Sequence, residues 1–398
     1  MEQQFGDAAY LDISAPDFAM DSDAVRDARA RNFYARTNYG LAILRYDAVD
    51  KLVTDPRLRQ GSYAWPAHNG ATGSFADWWS GMIINKEGED HRRLRRIANG
   101  AFQPKILRPL VPQFEMLANE LIDAFIDRGD CEFMADFSEP YATRVLCILL
   151  GTPPEDWRQL ADWALEMGLA LGVTYRRDMD RINAATDAMT AYCASLVERR
   201  RRNLTDDFLS TLIRQQDVDP TFSDEEMLNL MVGLVLGGID TTRNQLGLGL
   251  DLLMRHPGQW ELLANDPALA RNAVEEVMRC RPTTTWVTRE ALEDFEFQGL
   301  EIKGGTTVHL FTAAAGTDPL KISDEEFDIT KTRPLHFGFG KGPHFCVGQF
   351  VARTDMGVAL TVLPARMHVP RENGEVRWFP DSGNTGPISF PIAFEKRA

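Results

Sequence analysis

The stretch Phe339-Gly340-Lys341-Gly342-Pro343-His344-Phe345-Cys346-Val347-Gly348 delivers one cysteine at the end of a glycine-rich loop. Glycines at 340, 342 and 348 allow positive φ angles, so backbone N–H groups can turn toward a sulfur atom. Apolar residues recur at helical spacing from Val347 to Leu363, before Pro364, so we expect Cys346 at a helix N-terminus. There the helix dipole and the unpaired N–H groups would favour a thiolate and lower the pKa of the cysteine.

This loop has simpler interpretations. A lone cysteine is most often a buried, inert apolar residue, and a glycine-rich loop before a helix is most often a turn or a phosphate cradle. Zinc is a poor fit, because His344 and Cys346 supply at most two ligands and no second CxxC or HxxH pair completes a tetrahedral site. The full pattern Phe-x-x-Gly-x-His-x-Cys-x-Gly resembles the haem-binding loop of the cytochrome P450 family, in which a cysteine thiolate holds the haem iron.

Composition agrees with a large enzyme. The chain has 398 residues, 44% of them hydrophobic, which is enough to bury a sizeable core. Neither a linker nor a repeat divides it, so we expect one domain over residues 1–398. Helical patterns dominate, and short strands are expected near Gly40–Arg45 and in Phe295–Leu310. The net charge of −15 disfavours a nucleic-acid partner.

Cysteine usage and the chain ends predict a cytoplasmic protein. Five scattered cysteines argue against a disulfide framework and for a reducing compartment. The segment Met1–Asp12 lacks the basic and apolar regions of a signal peptide. No apolar run approaches the ~18 residues of a membrane span, so no membrane is expected as a partner.

One long helix is legible from Ser223 onward. Ser223 and Glu226 have the spacing of a capping box, and the run Met227–Met254 is apolar almost all round, as in a core helix. The stretch Gly237-Gly238-Ile239-Asp240-Thr241-Thr242 interrupts it. The Thr241 hydroxyl can bond back to the carbonyl of Gly237, so we expect a kink or a widened turn.

A glycine pair for close helix packing would explain this stretch equally well. It also resembles the oxygen-binding segment of cytochromes P450. By that resemblance Gly237 and Gly238 border the haem, Thr241 donates a hydrogen bond to dioxygen, and Asp240 connects it to a proton supply.

A third segment starts a helix at Asp266-Pro267 and stops at Pro282. Within it Glu276 and Arg279 are spaced i, i+3, which is usually a weak surface pair. The order of segments resembles that of cytochromes P450, which implies that this pair is buried and holds the loop before Cys346. His336 is the third partner that the resemblance implies.

Basic residues fall into two groups. A charge run such as Glu89–Arg96 is normally a solvated face, but this one looks like the family's haem-flanking helix. The resemblance assigns four side chains to the haem propionates: His91, Arg95, Arg289 and His344. Four others would form a basic patch for an acidic ferredoxin or flavodoxin: Arg92, Arg93, Arg96 and Lys341.

The resemblance implies a mainly α fold with small β-sheets, in which haem b lies between the long central helix and the cysteine-loop helix. Phe339, Gly340 and Gly348 would shape the haem-binding loop. The implied reaction is oxidation of a C–H bond with O₂ and electrons from an NAD(P)H-dependent reductase system. A peroxide-driven peroxygenase and a haem sensor or electron-transfer protein are the alternatives.

Substrate contacts are predicted from the segments that line the pocket in the family, which here include Tyr63–Ile84 and Gly168–Tyr175. The candidates are Trp65, Trp78, Trp79, Met82, Leu234, Thr283, Thr284, Thr285, Trp286, Asn384 and Thr385. The aromatic residues would form a wall or belong to the core. The polar ones predict a substrate with a polar or anionic head, such as an aryl phosphate or carboxylate, unless they bond backbone or water.

The chain departs from the family pattern at three places. Gly316-Thr317-Asp318-Pro319 lacks a common arginine, Glu326 replaces another, and Pro364 is expected to end the cysteine helix early. These departures affect the packing expected around the loop and leave the haem ligand in place.

Overall fold

Helices carry most of the chain in the computed structural model, which describes residues 8–171, 175–324, 326–381 and 383–397. Within these residues the α-helices are α1 (Asp23–Arg31), α2 (Tyr46–Leu52), α3 (Trp65–Asn69), α4 (Ser74–Gly81), α5 (Gly88–Ala101), α6 (Pro104–Leu107), α7 (Val111–Asp123), α8 (Glu139–Leu150), α9 (Trp157–Gly168), α10 (Tyr175–Arg202), α11 (Phe208–Val218), α12 (Asp224–Arg255), α13 (Pro257–Asn265), α14 (Ala270–Cys280), α15 (Thr312–Gly316) and α16 (Gln349–Arg366). None of the described helices combines the length and the apolar character needed to cross a membrane.

Short strands complete the fold. They are β1 (Tyr10–Leu11), β2 (Tyr34–Thr37), β3 (Gly40–Ile43), β4 (Leu58–Gln60), β5 (Asp130–Glu132), β6 (Trp286–Ala291), β7 (Phe295–Phe297), β8 (Leu300–Ile302), β9 (Thr307–Phe311), β10 (Arg371–Glu372), β11 (Arg377–Trp378), β12 (Pro387–Ser389) and β13 (Pro391–Ala393). The strands predicted near Gly40–Arg45 and in Phe295–Leu310 are therefore confirmed, as is the mainly α fold class.

The largest sheet has six strands in the order β1-β2-β3-β9-β6-β4. Side chains alternate across it: Leu41 and Ile43 of β3 join one apolar cluster, whereas Ala42 joins another. The antiparallel pairing of β4 with β6 sets Gln60 opposite Arg289. The sheet therefore presents a polar pair at its β4 edge.

The helix α12 runs through the core for 32 residues, about 48 Å. Ser223 and Glu226 form the predicted capping box at its start. It packs against helices on several sides, namely α8, α9, α10, α14 and α16. The helix stays α-helical through Gly237–Thr242, so the predicted widened turn is absent there, although Thr241 Oγ1 does donate to Gly237 O at 2.5 Å.

The C-terminal segment lies directly on α12. β12 contacts the helix, and two glycines allow the approach. A Cβ on Gly247 would lie 2.4 Å from Pro387 Cγ, and a Cβ on Gly386 would lie 2.5 Å from Asn244 Cβ. Because neither site has room for a larger side chain, the loop between β11 and β12 sits close to the helix backbone.

Two helix ends differ from expectation. α16 continues past Pro364 to Arg366, so Pro364 does not end the helix early. The proline lies in the last turn, where its missing N–H removes only one bond of the ladder. The helix predicted from Asp266 begins with a 3-10 turn at Pro267–Leu269, and the α-helical part starts at Ala270.

Candidate functional site

The cysteine loop closes on itself before α16. Cys346 N–H donates to Phe339 O at 2.8 Å. Gly340 and Gly342 have φ angles of 70° and 72°, as predicted for this loop. Gly348, which was also expected to allow a positive φ, has a φ of −82°. A Cβ on it would lie 4.0 Å from Cys346 Sγ, which is an ordinary contact distance.

The Cys346 sulfur faces both helix N–H groups and positive charge. The backbone N–H groups of Gly348 and Gln349 hydrogen-bond to it, and Arg95 and Arg353 act on it electrostatically. All four favour the thiolate, as predicted from the helix N-terminus. Burial nevertheless dominates and raises the pKa of Cys346, so the expected net lowering is wrong for the protein alone. A positively charged metal ion bound to the sulfur would stabilise the thiolate and so offset the effect of burial on its pKa.

Two predicted propionate ligands lie against each other. The rings of His91 and His344 are 4.2 Å apart between centroids. Burial lowers the pKa of His91 to about 4, and His344 and Arg95 act in the same direction. Arg95 donates to Phe345 O and so connects α5 to the cysteine loop.

Glu87 and Gln60 join this cluster, although the sequence analysis did not single them out. Glu87 Oε1 lies 3.3 Å from His344 Nε2 and accepts from Gln60 N–H at 2.8 Å. Burial alone would raise the pKa of Glu87, but the nearby His344 ring and the Gln60 N–H lower it to about 2. No local pattern marks either residue, because both depend on the packing of the sheet against α5.

Arg289, the fourth predicted ligand, is 3% exposed. It donates to Gln60 Oε1 and, at 3.1 Å, to Val53 O. Burial lowers the pKa of Arg289 to about 10. No carboxylate of the described residues lies within 4 Å of it. Through Gln60 and Glu87, the structure brings Arg289 to the same side as His91 and His344.

The middle of α12 is accessible although most of the helix is buried. Gly237 is exposed, and a Cβ on it would meet nothing within 4 Å. Gly238, Asp240 and Thr241 are also partly accessible, whereas Gly247–Leu253 are buried. This stretch therefore borders free space inside the fold.

The Asp240 carboxylate is held by two amides. Asn244 Nδ2 donates to Oδ1 at 3.2 Å, and Asn384 Nδ2 donates to Oδ2. Burial raises the pKa of Asp240, against the opposing effects of Arg243 and of both amides. The predicted substrate contact Asn384 is therefore a partner of the acid.

The other polar pocket candidates largely satisfy one another. Thr283 Oγ1 lies 2.7 Å from both Asn384 Oδ1 and Thr385 O, and can donate to either. Thr285 is buried, and its carbonyl accepts from Thr312 Oγ1 at 2.9 Å. Thr284 is half-buried, and its hydroxyl forms no hydrogen bond among the described residues. Thr283 and Asn384 thus have protein partners, as the alternative interpretation of this set required, and contact of the set with a polar head stays a prediction.

The aromatic candidates belong mainly to the core. Trp65, Trp78 and Trp79 pack with Phe75 in one cluster. The indole of Trp79 donates to Ser62 O at 2.7 Å, which fixes its orientation.

The remaining pocket candidates lie at separate places. Met82 lies beside α12, where a Cβ on Gly233 would be 3.6 Å from Met82 Cε. Leu234 is half-buried on α12, and Trp286 stacks on Phe311 with centroids 5.6 Å apart. Residues 172–174 of the predicted segment Gly168–Tyr175 lie outside the described residues.

Glu276 and Arg279 form the predicted buried pair. Their charged groups are 2.7 Å apart and each side chain is 1% exposed. Arg279 donates to Gly316 O at 2.9 Å and to Glu326 O at 3.2 Å. Because Glu326 contributes its backbone carbonyl, the identity of its side chain does not affect this contact.

The third partner of the pair is Arg333, whose Nη2 lies 3.4 Å from Glu276 Oε1. The assignment of His336 to this network is wrong. His336 Nε2 instead lies 3.0 Å from Glu275 Oε2, and Arg353 of α16 donates to the same carboxylate. The two neighbouring glutamates point to different partners because successive helix positions face different directions.

The predicted basic patch is largely neutralised. Arg92 pairs with Glu89 at 2.7 Å, Arg93 pairs with Glu226, and Lys341 pairs with Asp50 at 2.5 Å. Arg96 is exposed, and no carboxylate of the described residues lies within 4 Å of it. Of the four residues, Arg96 alone forms no ion pair within the described part of the chain, although its charge acts on Glu89 and Asp219.

These residues fit a haem. One thiolate-forming cysteine, with N–H groups on its sulfur, suits an iron ligand, and the described residues contain no cluster of three metal-ligating side chains. Arg289 lacks a carboxylate partner, and His344 Nδ1 is buried without a hydrogen bond in the described structure. Carboxylates of the kind that haem carries would satisfy both groups.

Comparisons with known proteins agree with this arrangement. Residues 169–266 and 259–369 match the model of the family described as Cytochrome P450. The chain is 34% identical to luteothin monooxygenase from Streptomyces thioluteus over 99% of this chain and 98% of that protein. It is 32% identical to mycinamicin IV hydroxylase/epoxidase from Micromonospora griseorubida over 79% of this chain and 80% of that protein. The crystal structure of CalO2 superposes with a TM-score of 0.86 at 27% identity, covering 96% of this chain and 99% of that one.

Proposed function

Because this chain belongs to the cytochrome P450 family, we propose that it is a haem-thiolate monooxygenase that binds haem b through Cys346 as one catalytic domain over residues 1–398. The observation that carries the proposal is the Cys346 sulfur, which receives two helix N–H groups at the end of the glycine loop. When bound, the haem supplies the activation of dioxygen and the transfer of one oxygen atom to the substrate.

The protein binds and orients the cofactor. His91, Arg95, Arg289 and His344 would hold the haem propionates, since all four gather on one side of the cysteine loop through direct contacts or through Gln60 and Glu87. The buried Glu276–Arg279 pair acts at a distance. It fixes the segment from Gly316 to Arg333 that leads into the loop.

Asp240 and Thr241 supply protons. Both lie on the accessible stretch of α12, and Thr241 carries a hydroxyl whose oxygen can also accept a hydrogen bond. A sensor or electron-transfer protein has no use for an acid and a hydroxyl at this position, and a peroxygenase needs no proton relay of this kind. The pair therefore favours a monooxygenase over both alternatives.

The substrate that we propose is predominantly apolar. The anionic head was predicted from Thr283, Thr284, Thr285, Asn384 and Thr385. It has little support, since Thr283 and Asn384 bond to protein atoms. Thr284 remains as a polar candidate, and Leu234 and Met82 remain as apolar candidates. Two relatives are named for luteothin and mycinamicin IV, and we propose a bacterial secondary metabolite as the substrate of this chain as well.

This proposal is checked by adding neutral and carboxylate forms of one aryl-alkyl scaffold and following the ferric haem absorbance. We expect the neutral form to bind at least about tenfold more tightly, because a buried carboxylate would lack a cation. Tighter binding of the carboxylate would restore the anionic-head prediction.

Electrons would come from a ferredoxin or flavodoxin with its NAD(P)H-dependent reductase. The surface around Arg96 on α5 is proposed as part of the docking site, since this helix contacts the cysteine loop through Arg95. Cys131, Cys147, Cys193, Cys280 and Cys346 are all free thiols, which supports a reducing compartment.

The deciding experiment is the absorbance spectrum of the reduced protein with carbon monoxide. We expect the thiolate-specific band in the wild type and in Cys280→Ala, a matched control at a half-buried cysteine. Cys346→Ala should lose it, because the sulfur ligand is gone. A Cys346→Ala variant that retains the band would overturn the ligand assignment.

A further inference from the structure

The loop between β11 and β12 brings an amide to the acid of the central helix. Within this loop Phe379 N–H donates to Gly386 O at 2.9 Å, and Thr385 N–H donates to Thr283 O at 2.8 Å. The close approach at Gly386 and Gly247 fixes the loop on α12. Asn384 therefore meets Asp240 with little freedom to move away.

The two amides that hold Asp240 are not equivalent. Asn244 Oδ1 accepts from Arg243 Nη1 at 2.8 Å, and a guanidinium can only donate. The Asn244 amide is therefore fixed with its Nδ2 toward Asp240 Oδ1. This oxygen always receives a donor, so a proton on Asp240 belongs on Oδ2, the oxygen beside Asn384.

On the side of the amide away from Asp240, Asn384 contacts the Thr283 hydroxyl, which can either donate or accept a hydrogen bond. Its Oδ1 lies 2.7 Å from Thr283 Oγ1, and the same hydroxyl lies 2.7 Å from Thr385 O. When Nδ2 faces Asp240, the Thr283 hydroxyl donates to Asn384 Oδ1. If the amide turned by half a rotation, its Nδ2 would donate to Thr283 Oγ1 and the hydroxyl would donate to Thr385 O instead. Both arrangements leave the Asn384 amide oxygen, its Nδ2 and the Thr283 hydroxyl with a partner, whereas Thr385 O receives the hydroxyl hydrogen only in the second.

We propose that Asn384 is a positioning residue that holds Asp240 in both protonation states by turning its side-chain amide. With the carboxylate ionised, Nδ2 donates to Oδ2; with Oδ2 protonated, the Asp240 O–H donates to Asn384 Oδ1. The proton that leaves Oδ2 would pass toward the Thr241 hydroxyl on the accessible stretch of α12, and Oδ2 would take up another proton from solvent. The amide turns its Nδ2 to Oδ2 when the carboxyl ionises and turns back when Oδ2 is protonated again.

The inference rests on the proposed function, because it concerns the proton supply of the monooxygenase. Among the described residues, Arg243 is the charged group that acts on Asp240. It lies on the same helix and pairs with Glu139 of α8 at 3.2 Å. Neither Arg243 nor Glu139 is changed by the variants below, so these two charges are the same in all of them.

The test measures the protonation of Asp240 directly, by infrared spectroscopy of its carboxyl C=O stretch in the ferric protein without turnover. The band is assigned as the one that Asp240→Asn removes. In Asn384→Leu we expect the pH midpoint to rise by roughly one unit or more, because the ionised form loses a charge-assisted hydrogen bond, which is stronger than the neutral one that the protonated form loses. Asn373→Leu, at an exposed asparagine between β10 and β11, should leave the midpoint unchanged.

The second variant is Asn384→Asp, whose side chain has nearly the same size and shape as that of Asn384. It places two carboxyls side by side, so they should share one proton, and a protonated band should persist at pH 7. During turnover, Asn384→Leu should lower the product formed per electron about tenfold and divert the rest to peroxide.

An unchanged midpoint in Asn384→Leu, or two ionised carboxyls at pH 7 in Asn384→Asp, would overturn the inference. Failure of the proposed function is distinguished from these outcomes, because it would show as a missing thiolate band in the wild type.

Discussion

His336 Nε2 lies 3.0 Å from Glu275 Oε2, and Arg353 Nη2 donates to the same oxygen at 3.1 Å. One carboxylate of α14 thereby ties the start of the cysteine loop to the helix that follows it. Arg353 also lies over the ring of Phe339, 4.5 Å from its centroid. The loop is held from both of its ends.

The Glu275 cluster predicts an acid-sensitive contribution to stability. Burial alone would raise the pKa of Glu275, but His336 and Arg353 lower it to about 2. A carboxyl whose pKa is depressed on folding stabilises the native state above its unfolded pKa of about 4.3. This contribution is lost as the pH falls from there toward 2. We expect Glu275→Gln to reduce the free energy of unfolding at pH 7 by about 1 kcal/mol, discounted for partial exposure.

Denaturant unfolding of the holoprotein between pH 7 and pH 3 checks this prediction. The variant should show a flatter loss of stability below about pH 4.5 than the wild type. Glu89→Gln, at an exposed ion pair, is the control and should follow the wild-type curve. Parallel curves for Glu275→Gln and wild type would contradict the role of this carboxylate.

The buried Glu276–Arg279 pair should be far more sensitive than a surface pair of the same spacing. Arg279→Met leaves Glu276 as a buried charge, with Arg333 at 3.4 Å as its remaining cation. We expect a loss of about 3–5 kcal/mol, seen as reduced thermal stability and reduced haem retention. Arg92→Met breaks the exposed i, i+3 pair with Glu89 and should cost less than about 1 kcal/mol. Equal costs for the two variants would argue against a structural role of the buried pair.

Thr241 should control how electrons are used. Thr241→Ala removes the hydroxyl that bonds to Gly237 O and leaves the helix backbone intact. We expect the product per NAD(P)H consumed to fall at least about tenfold, with a matching rise in hydrogen peroxide, because a positioned proton donor is lost. Thr241→Ser retains the hydroxyl and should stay near the wild-type ratio. Unchanged coupling in Thr241→Ala would count against the relay.

Arg96 should contribute to electron delivery. Arg96→Glu reverses an exposed charge that lacks a carboxylate partner in the described structure, and we expect reduction by ferredoxin to slow about 5–10-fold at low salt. The difference should disappear near 1 M salt, where the screening length is about 3 Å. The rate of reduction by ferredoxin is measured by stopped-flow kinetics at each salt concentration. Arg371→Glu, an exposed position on β10, serves as the matched charge reversal and should have little effect.

Local features of the sequence determined the glycine loop that ends at Cys346, the capping box of α12 and the Glu276–Arg279 pair. Each depends on residues three to ten positions apart, and the regular geometry of a helix or a tight loop sets their spacing. The Thr241 bond to Gly237 O is of the same kind. The identity of the family followed from the order of these short motifs.

Only the tertiary structure decided which polar side chains from distant parts of the sequence pair with each other. Glu275 and His336 are 61 positions apart, and Asp240 and Asn384 are 144 apart. No helical period relates such positions, so the sequence analysis assigned His336 to the wrong glutamate and Asn384 to the substrate. A polar residue in a binding segment can satisfy a ligand or a neighbouring side chain. The close packing of two glycine-bearing segments, Gly247 and Gly386, determined that Asn384 reaches the acid.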